Sequence, residues 1–476
     1  MRSFVTMRSF VVLLLLLASS VFAQPAVTRS GALKKRAYQS YATTTLYVDP
    51  TGSNTNACTS SGTSACLTLS GALAKLPRFI RHATTINIAA GTYTEPFRVQ
   101  GFVTGSTAEA SDTGTLSITG TLANVTPATG TATGSLTGRT AASGGAKEIL
   151  TDSGQTWTVD DLRGHLLQIT GGTGSGQYRP IASNTATTIS VASPFTTAPT
   201  AGSTYAIVAP VSIFTGTGST LRNLMGAGTV SVTDIAVEPA SGAALTYAGL
   251  QAPITLTRVR LTGTNGFFSA SPPVGSAAMT LTDSVLVATS GTGFGSAPFS
   301  VTQLNRVFIR CTTSCFAGLL VSSRSGFISL FTGTVAGTWT AGAIRLLGSA
   351  TVQSTGLWVD CASAATNAIV LPAPNDTAAY APSSGWTQNT GPYISGCGVG
   401  YQLSSPSLSY IDTGTVFTNT TTAVELTGGA RVHVEAGTTS VGVTTFLTVD
   451  GASYTAAELV TFTSITGPKG SVAIGL

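Results

Sequence analysis

The chain has 476 residues, of which 42% are hydrophobic and only 9% charged, with 54 glycines and a formal net charge of +5. A charged fraction this far below the ~25% of ordinary domains, joined to so much apolar residue, excludes a disordered polyelectrolyte and predicts a folded body with a large buried area. The positive balance points to no acidic partner: Arg2, Arg8, Arg29, Lys34, Lys35 and Arg36 all precede residue 37, and from there on 17 basic residues face 18 acidic ones, so no basic face for nucleic acid is expected.

Residues 1–23 read as an export signal. Arg2 and Arg8 supply a basic start, Val11 to Leu17 an unbroken apolar core, and Val21-Phe22-Ala23 a small-residue cleavage pattern. The stretch from Met1 to Phe4 nearly recurs from Met7 to Phe10, so either methionine fits as the start. The apolar core is shorter than the ~20 residues a membrane helix needs, and no later stretch reaches that length. A secreted protein at the cell surface or outside the cell is therefore expected, with no membrane span. Residues 24–43 read as a flexible leader in which Lys34-Lys35-Arg36 is a solvated run or a processing site.

Six cysteines in an exported chain predict disulfides. Cys58 and Cys66 flank the polar loop CTSSGTSAC and are expected to pair, whereas the pairing of Cys311, Cys315, Cys361 and Cys397 stays open. His82, His165 and His433 are far apart in sequence, and no cluster has zinc spacing, so neither a metal nor a cofactor is expected.

Residues 44–138 carry a strand with Tyr47-Val48-Asp49-Pro50, a short amphipathic helix from Ser70 to Leu76 stopped by Pro77, a strand at Thr85-Ile-Asn-Ile-Ala, and then Gly91-Thr-Tyr-Thr-Glu95. This succession resembles the N-terminal cap of pectin-lyase-like β-helix proteins, in which a helix covers the open end of the first coil. The resemblance makes Tyr93 and Glu95 cap residues. Residues 139–210 form a separate unit containing Trp157, Leu162-Arg163-Gly164 and the run Ile169-Thr-Gly-Gly-Thr-Gly-Ser-Gly-Gln-Tyr-Arg-Pro-Ile181. It resembles a small β module that recurs in tailspike-like and other secreted bacterial and phage proteins. Gly172 to Gln177 lacks the Lys-Ser/Thr of a phosphate loop and is expected to be a hairpin turn.

From 211 to 440 the chain repeats. Strands of one pattern place Asp234, Arg258, Asp283, Arg306, Gly333, Gly356, Gly391 and Gly414 at one position, with gaps of 24, 25, 23, 27, 23, 35 and 23 residues. The long gap holds a Pro-rich loop, residues 371–386. Alternating β-branched residues with Gly/Ser/Thr turns predict strands, and units this short are stable only when stacked. The fold class expected is all-β: a single-stranded, right-handed parallel β-helix with an N-terminal helical cap and a small inserted β module. Residues 441–476 read as a closing segment.

The shared position of Asp234, Arg258, Asp283 and Arg306 predicts a ladder of alternating charge, structural in its simplest reading. A fold does not fix a function, which rests on the residues of its sites. The Leu-Gly-Arg-Pro-Trp segment of pectin methylesterases is absent. Of the polygalacturonase motifs only an Asp-Asp occurs, Asp160-Asp161, without its companions. Glycoside hydrolysis needs two carboxyls ~5 to 9 Å apart, and different rungs can supply them. Asp234, Asp283, Asp360 and Glu425 are the candidates, although Arg258 between the first two disfavours a general acid. Trp358 and Tyr393 share a rung position opposite the inward-pointing residues and are the candidate sugar-stacking aromatics. The favoured function is a secreted, non-catalytic adhesin or structural β-helix with polysaccharide as its expected partner. The competing one is a tailspike-type polysaccharide hydrolase or lyase. Oligomeric state is not legible.

Overall fold

The computed structural model describes residues 39–105, 114–133, 149–269, 278–296, 301–322, 327–347, 351–354, 356–371, 379–380, 392–404, 408–411, 415–427, 431–434, 438–450, 460–462, 465–466 and 473–474. The expected export signal and all but the last residues of the leader lie outside them.

The described chain is almost wholly strand and winds into a parallel β-solenoid of about eleven turns. A regular turn contributes three short strands. The first two belong to a 23-stranded sheet and the third to a separate 12-stranded sheet. Strand 254–257 shows how the sequence dictates this: Ile254 and Leu256 are buried, while the threonines that alternate with them are half-buried. Ile254 lies in register with Val230 and Met279, and Leu256 with Val232 and Leu281. An apolar side chain at one place in every turn thus becomes a continuous column, stacked at the ~4.8 Å strand spacing. In the 12-stranded sheet the columns are partly aromatic, with Tyr247 against Phe267 at 4.9 Å and Phe267 against Phe294 at 5.7 Å.

The repeating position found in the sequence is the corner between the first and second strand of a turn. Asp234, Arg258, Asp283 and Arg306 have φ of 60, 51, 49 and 56°, all left-handed. That backbone costs a non-glycine residue about 1–2 kcal/mol. Aspartate tolerates it through local hydrogen bonds, but arginine has no such relief and needs compensation from elsewhere. At Gly356 a glycine takes the corner, with φ of 64°. At Arg306 and Gly333 the strands Val301–Cys311 and Phe327–Gly337 run through without a break, with positive φ at Arg306 alone of the two. Gly391 and Gly414 lie outside the described residues.

Near the start of the solenoid, the helix is Leu69–Leu73, shorter than the Ser70–Leu76 expected. Thr68 accepts from the Gly71 amide at its N-terminus, and Lys75 and Leu76 donate to Ala72 and Leu73 in tightened i→i+3 turns that carry the chain to Pro77. Leu69 and Ala72 are buried in the solenoid core. The Glu95 carboxylate accepts from the amides of Leu69 and Ser70 and from the Ser70 hydroxyl, placing a negative charge at the helix N-terminus. Cys58 and Cys66 are disulfide-bonded, as are Cys311–Cys315 and Cys361–Cys397. The last closes 36 residues around the long gap, worth roughly 3–4 kcal/mol in loop entropy.

Between the strands Leu116–Thr119 and Ser212–Phe214 the chain makes a six-stranded antiparallel sheet. It leaves the solenoid at Gly120, whose amide donates to Thr233, so the departure point stacks on the Asp234 corner. Its first strand, Leu122–Thr131, pairs with Thr204–Pro210, so the unit begins upstream of the expected residue 139. Residues 172–177 join two antiparallel strands. The sheet has two apolar faces because its strands alternate apolar with apolar. Leu167, Ile181, Val191, Tyr205 and Ile207 pack with Trp157 in its own core. Leu166, Ala182, Ala192, Ala206 and Val208 pack on outward-facing Val285, Val287, Phe308 and Ala336 of the solenoid. Thr334 adds a 2.6 Å hydrogen bond to the Ala192 carbonyl. No helix among the described residues is long and apolar enough to cross a membrane.

Phe308 is fully buried beneath this sheet. Phe308→Ala is expected to lower stability by about 3–5 kcal/mol in urea unfolding, the cost of truncating a core aromatic; a loss under ~1 kcal/mol would mean the sheet does not rest there.

Candidate functional site

The corner charges are paired and covered. Arg258 donates to both Asp234 oxygens at 2.7 and 3.0 Å, and Arg306 to both Asp283 oxygens at 2.7 and 2.9 Å. The Arg258 guanidinium also lies over the Tyr178 ring, 4.7 Å from its centre, and Arg179 reaches to 3.7 Å from Asp283. Burial disfavours the Arg258 charge, but its bonds to Asp234 outweigh that and raise its pKa; for Arg306 the Asp283 bonds lead. Tyr178 and Arg179 belong to the six-stranded sheet, so the alternating ladder is part of the surface that this sheet covers. Arg179 is itself fixed by bonds to the carbonyls of Pro194 and Tyr178 at 2.7 Å.

The four candidate carboxylates are dispersed. Asp234 and Asp283 sit at the corner. Asp360 lies on a second-ladder strand in register with Ala336 and Ser395. Glu425 lies on the 12-stranded sheet, where it accepts from Gln402 at 3.1 Å.

The expectation for Trp358 and Tyr393 is corrected. They are in register, and they do point away from the solenoid core, but Trp358 is 0% and Tyr393 7% exposed, in a cluster with Val416. Their column runs through Thr334 to Phe308 and Val285, the column that the six-stranded sheet covers. Facing away from one core places these rings in another, and no aromatic face is offered to a sugar.

A different surface is more exposed, although Gly295 and Val370 within it are buried. On the outer side of the 12-stranded sheet, one residue per turn falls in register: Arg98, Thr220, Thr246, Phe268, Gly295, Leu320, Arg345, Val370, Gln402, Glu425 and Thr448. Strand alternation puts them outside, because their neighbours Leu221, Tyr247, Phe267, Leu319 and Ile344 fill the core. At one end Arg98, Gln100, Thr220, Arg222 and Thr246 line a cleft of about 470 Å³. Arg98 is oriented by a 2.9 Å bond from Nε to the Gly218 carbonyl. In the middle the half-buried Phe268 lies flat on Gly295, where a Cβ would come within 2.4 Å of the ring; only glycine permits that platform. Arg345 follows, with its guanidinium over the exposed Phe316 ring at 5.6 Å. At the far end Asn367 donates to Gln402 at 2.9 Å, which donates to Glu425. The strip thus runs from guanidinium through aromatic to amide and carboxylate.

No family model matches the chain, and no curated protein matches it. Among solved structures it is similar to a glycoside hydrolase at 9% identity and a TM-score of 0.34, covering 90% of this chain and 97% of that one. It is similar to the tailspike gp61 of Pseudomonas phage phi297 at 10% identity and 0.27, covering 79% and 69%. A structure of XylC with xylose matches at 9% identity and 0.25, covering 81% and 70%. Likenesses this remote carry no chemistry across, so the site stands on its own residues.

Asp283→Asn should cost about 1.5–3 kcal/mol in urea unfolding, because it strips the charged acceptor from Arg306. Asp283→Asn combined with Arg306→Gln should cost less than the sum of the two single variants, because each single leaves its partner uncompensated. A double loss equal to that sum would contradict a structural ion pair.

Proposed function

We propose that this is a secreted β-solenoid of the cell surface or extracellular space that binds an extended polysaccharide along the outer face of the 12-stranded sheet, as an adhesin or structural protein without turnover. The observation that carries the reading is the in-register strip itself. One position recurs each turn at ~4.8 Å, and guanidinium, hydroxyl, aromatic, amide and carboxylate groups occupy it in eight of the eleven turns, Gly295, Leu320 and Val370 the other three; such a row suits an extended ligand. Hydroxyl-rich sugars pair with Thr220, Thr246 and Gln402, while Phe268 offers an apolar face for a ring. Three disulfides support export. The absence of turnover is supported by the bidentate arginine pairs that occupy Asp234 and Asp283.

The organisation proposed with it is a signal at 1–23, a leader to 43, a right-handed coil whose first turn is capped by the Leu69–Leu73 helix, and an inserted β module that fastens to later turns. The tail from 441 then closes the coil. One observation favours the competing hydrolase or lyase reading: Glu425 lies on the same strip as the arginines and Phe268.

Titrating the purified protein with neutral and acidic polysaccharides, while following reducing ends and unsaturated products, tests both. Binding without product is expected, with Phe268→Ala or Arg222→Ala weakening it about tenfold, or ~1.4 kcal/mol. Product formation abolished by Glu425→Gln would overturn the non-catalytic reading. Binding untouched by either strip variant would overturn the site.

A further inference from the structure

The seam between the six-stranded sheet and the solenoid holds two arginines that the chain leaves unsatisfied. The loop Arg163-Gly164-His165 of the sheet lies directly on the second ladder. A Cβ on Gly164 would sit 3.7 Å from Val285 Cγ1, and the Arg163 guanidinium lies over the Phe308 ring at 5.8 Å. Arg310 follows Phe308 by two residues on one strand, so it projects from the same face. Its rung neighbours are Val287 and Ala336, both buried under the sheet. Arg163 and Arg310 therefore approach one spot from two separate parts of the fold.

Both are half-buried, and the Nε of each is shut from solvent without an acceptor; the Nδ1 of His165, one residue beyond Gly164, is in the same condition. Other arginines of this seam differ. Arg258 has Asp234, Arg306 has Asp283, Arg260 has Glu238, and Arg179 has its carbonyls. Burial lowers the Arg310 pKa, the Arg163 charge lowers it further, and Asp160 only partly offsets them. Asp160 is exposed and accepts from the Asn184 amide at 3.4 Å. Two guanidiniums that repel one another across a covered apolar floor, with their inner N–H groups unused, form an incomplete site.

We propose that Arg163 and Arg310 clamp a single oxyanion group, a carboxylate, sulfate or phosphate, that bridges the six-stranded sheet to the solenoid. Each guanidinium presents a planar fork suited to two oxygens of such a group. The bound charge, held by the Nη groups, removes the repulsion and offsets the cost of the buried guanidiniums. The ligand locks the sheet onto the turns that carry Val285 and Phe308. This inference is independent of the strip on the 12-stranded sheet.

The test uses the full chain, with unfolding and calorimetric titration at constant ionic strength as sodium sulfate replaces sodium chloride. Saturable binding is expected, with the unfolding equilibrium constant falling about tenfold at ten times the Kd. Arg163→Gln and Arg310→Gln should each abolish saturation. Arg310→Lys, which keeps the charge but not the fork, should weaken it and serves if a glutamine variant fails to fold. Sulfate also stabilises proteins by exclusion from their surface. A linear, non-saturating effect that is equal in wild type and variants would overturn the proposal. A second arm replaces sulfate with a polyuronate. Competition between the two assigns the clamp to the acid group of a glycan, and saturation by sulfate alone assigns it to a free inorganic anion.

Discussion

The constraint on which the rest of this molecule depends is the left-handed position between the first and second ladders of successive turns. It has positive φ at Asp234, Arg258, Asp283, Arg306 and Gly356, while at Gly333 the strand runs through. Glycine would meet the demand without cost in the folded state. This chain instead places Asp, Arg, Asp and Arg there in four successive turns, accepting the strain and offsetting it with bidentate ion pairs between neighbouring turns. The corner is also where the six-stranded sheet departs, one turn before Asp234, and that sheet returns to cover the corners that follow.

Two outer faces with opposite characters result. The face over the second ladder is apolar at Val285, Val287 and Phe308, and it is sealed by the six-stranded sheet, with Trp358, Tyr393 and Val416 continuing the burial in later turns. The outer face of the 12-stranded sheet carries a mixture of polar, aromatic and aliphatic side chains, and among the described residues no layer packs over the cleft at Arg98 and Arg222. Charge follows the same division. On the covered face it is neutralised in pairs, apart from the Arg163 and Arg310 donors, while on the other face Arg98 and Arg345 lie in the strip and Arg222 in the column beside it.

The solenoid was legible because its determinants are local and repeated: alternating apolar residues, corner residues 23 to 27 apart, and turn-forming glycine and serine. The Cys58–Cys66 bridge is legible because its two cysteines flank one polar loop, while Cys311–Cys315, though shorter, sits among rung residues with no such mark. Cys361–Cys397 is not legible either, since the bridge spans a long gap whose closure only the stacking of turns reveals. Leu122–Thr131 reads like any rung strand, and its antiparallel partner lies about seventy to ninety residues on, so nothing local marks it as the start of the six-stranded sheet. Trp358 and Tyr393 face away from the solenoid core, and an alternating pattern cannot show that these rings are nonetheless buried, packed with Val416. The strip was missed because its members share a position and no chemistry: arginine, threonine, phenylalanine, leucine and glutamine in turn. Extending the corner alignment to the third strand of each turn would have exposed it.

Amide hydrogen exchange with and without a saturating polysaccharide addresses the division of faces most directly. Protection on binding is expected in strands 98–100, 220–222, 245–248 and 267–269, with the corner at residues 234, 258, 283 and 306 unchanged. Protection confined to the corner turns and the six-stranded sheet, with the 12-stranded sheet unaffected, would contradict the account.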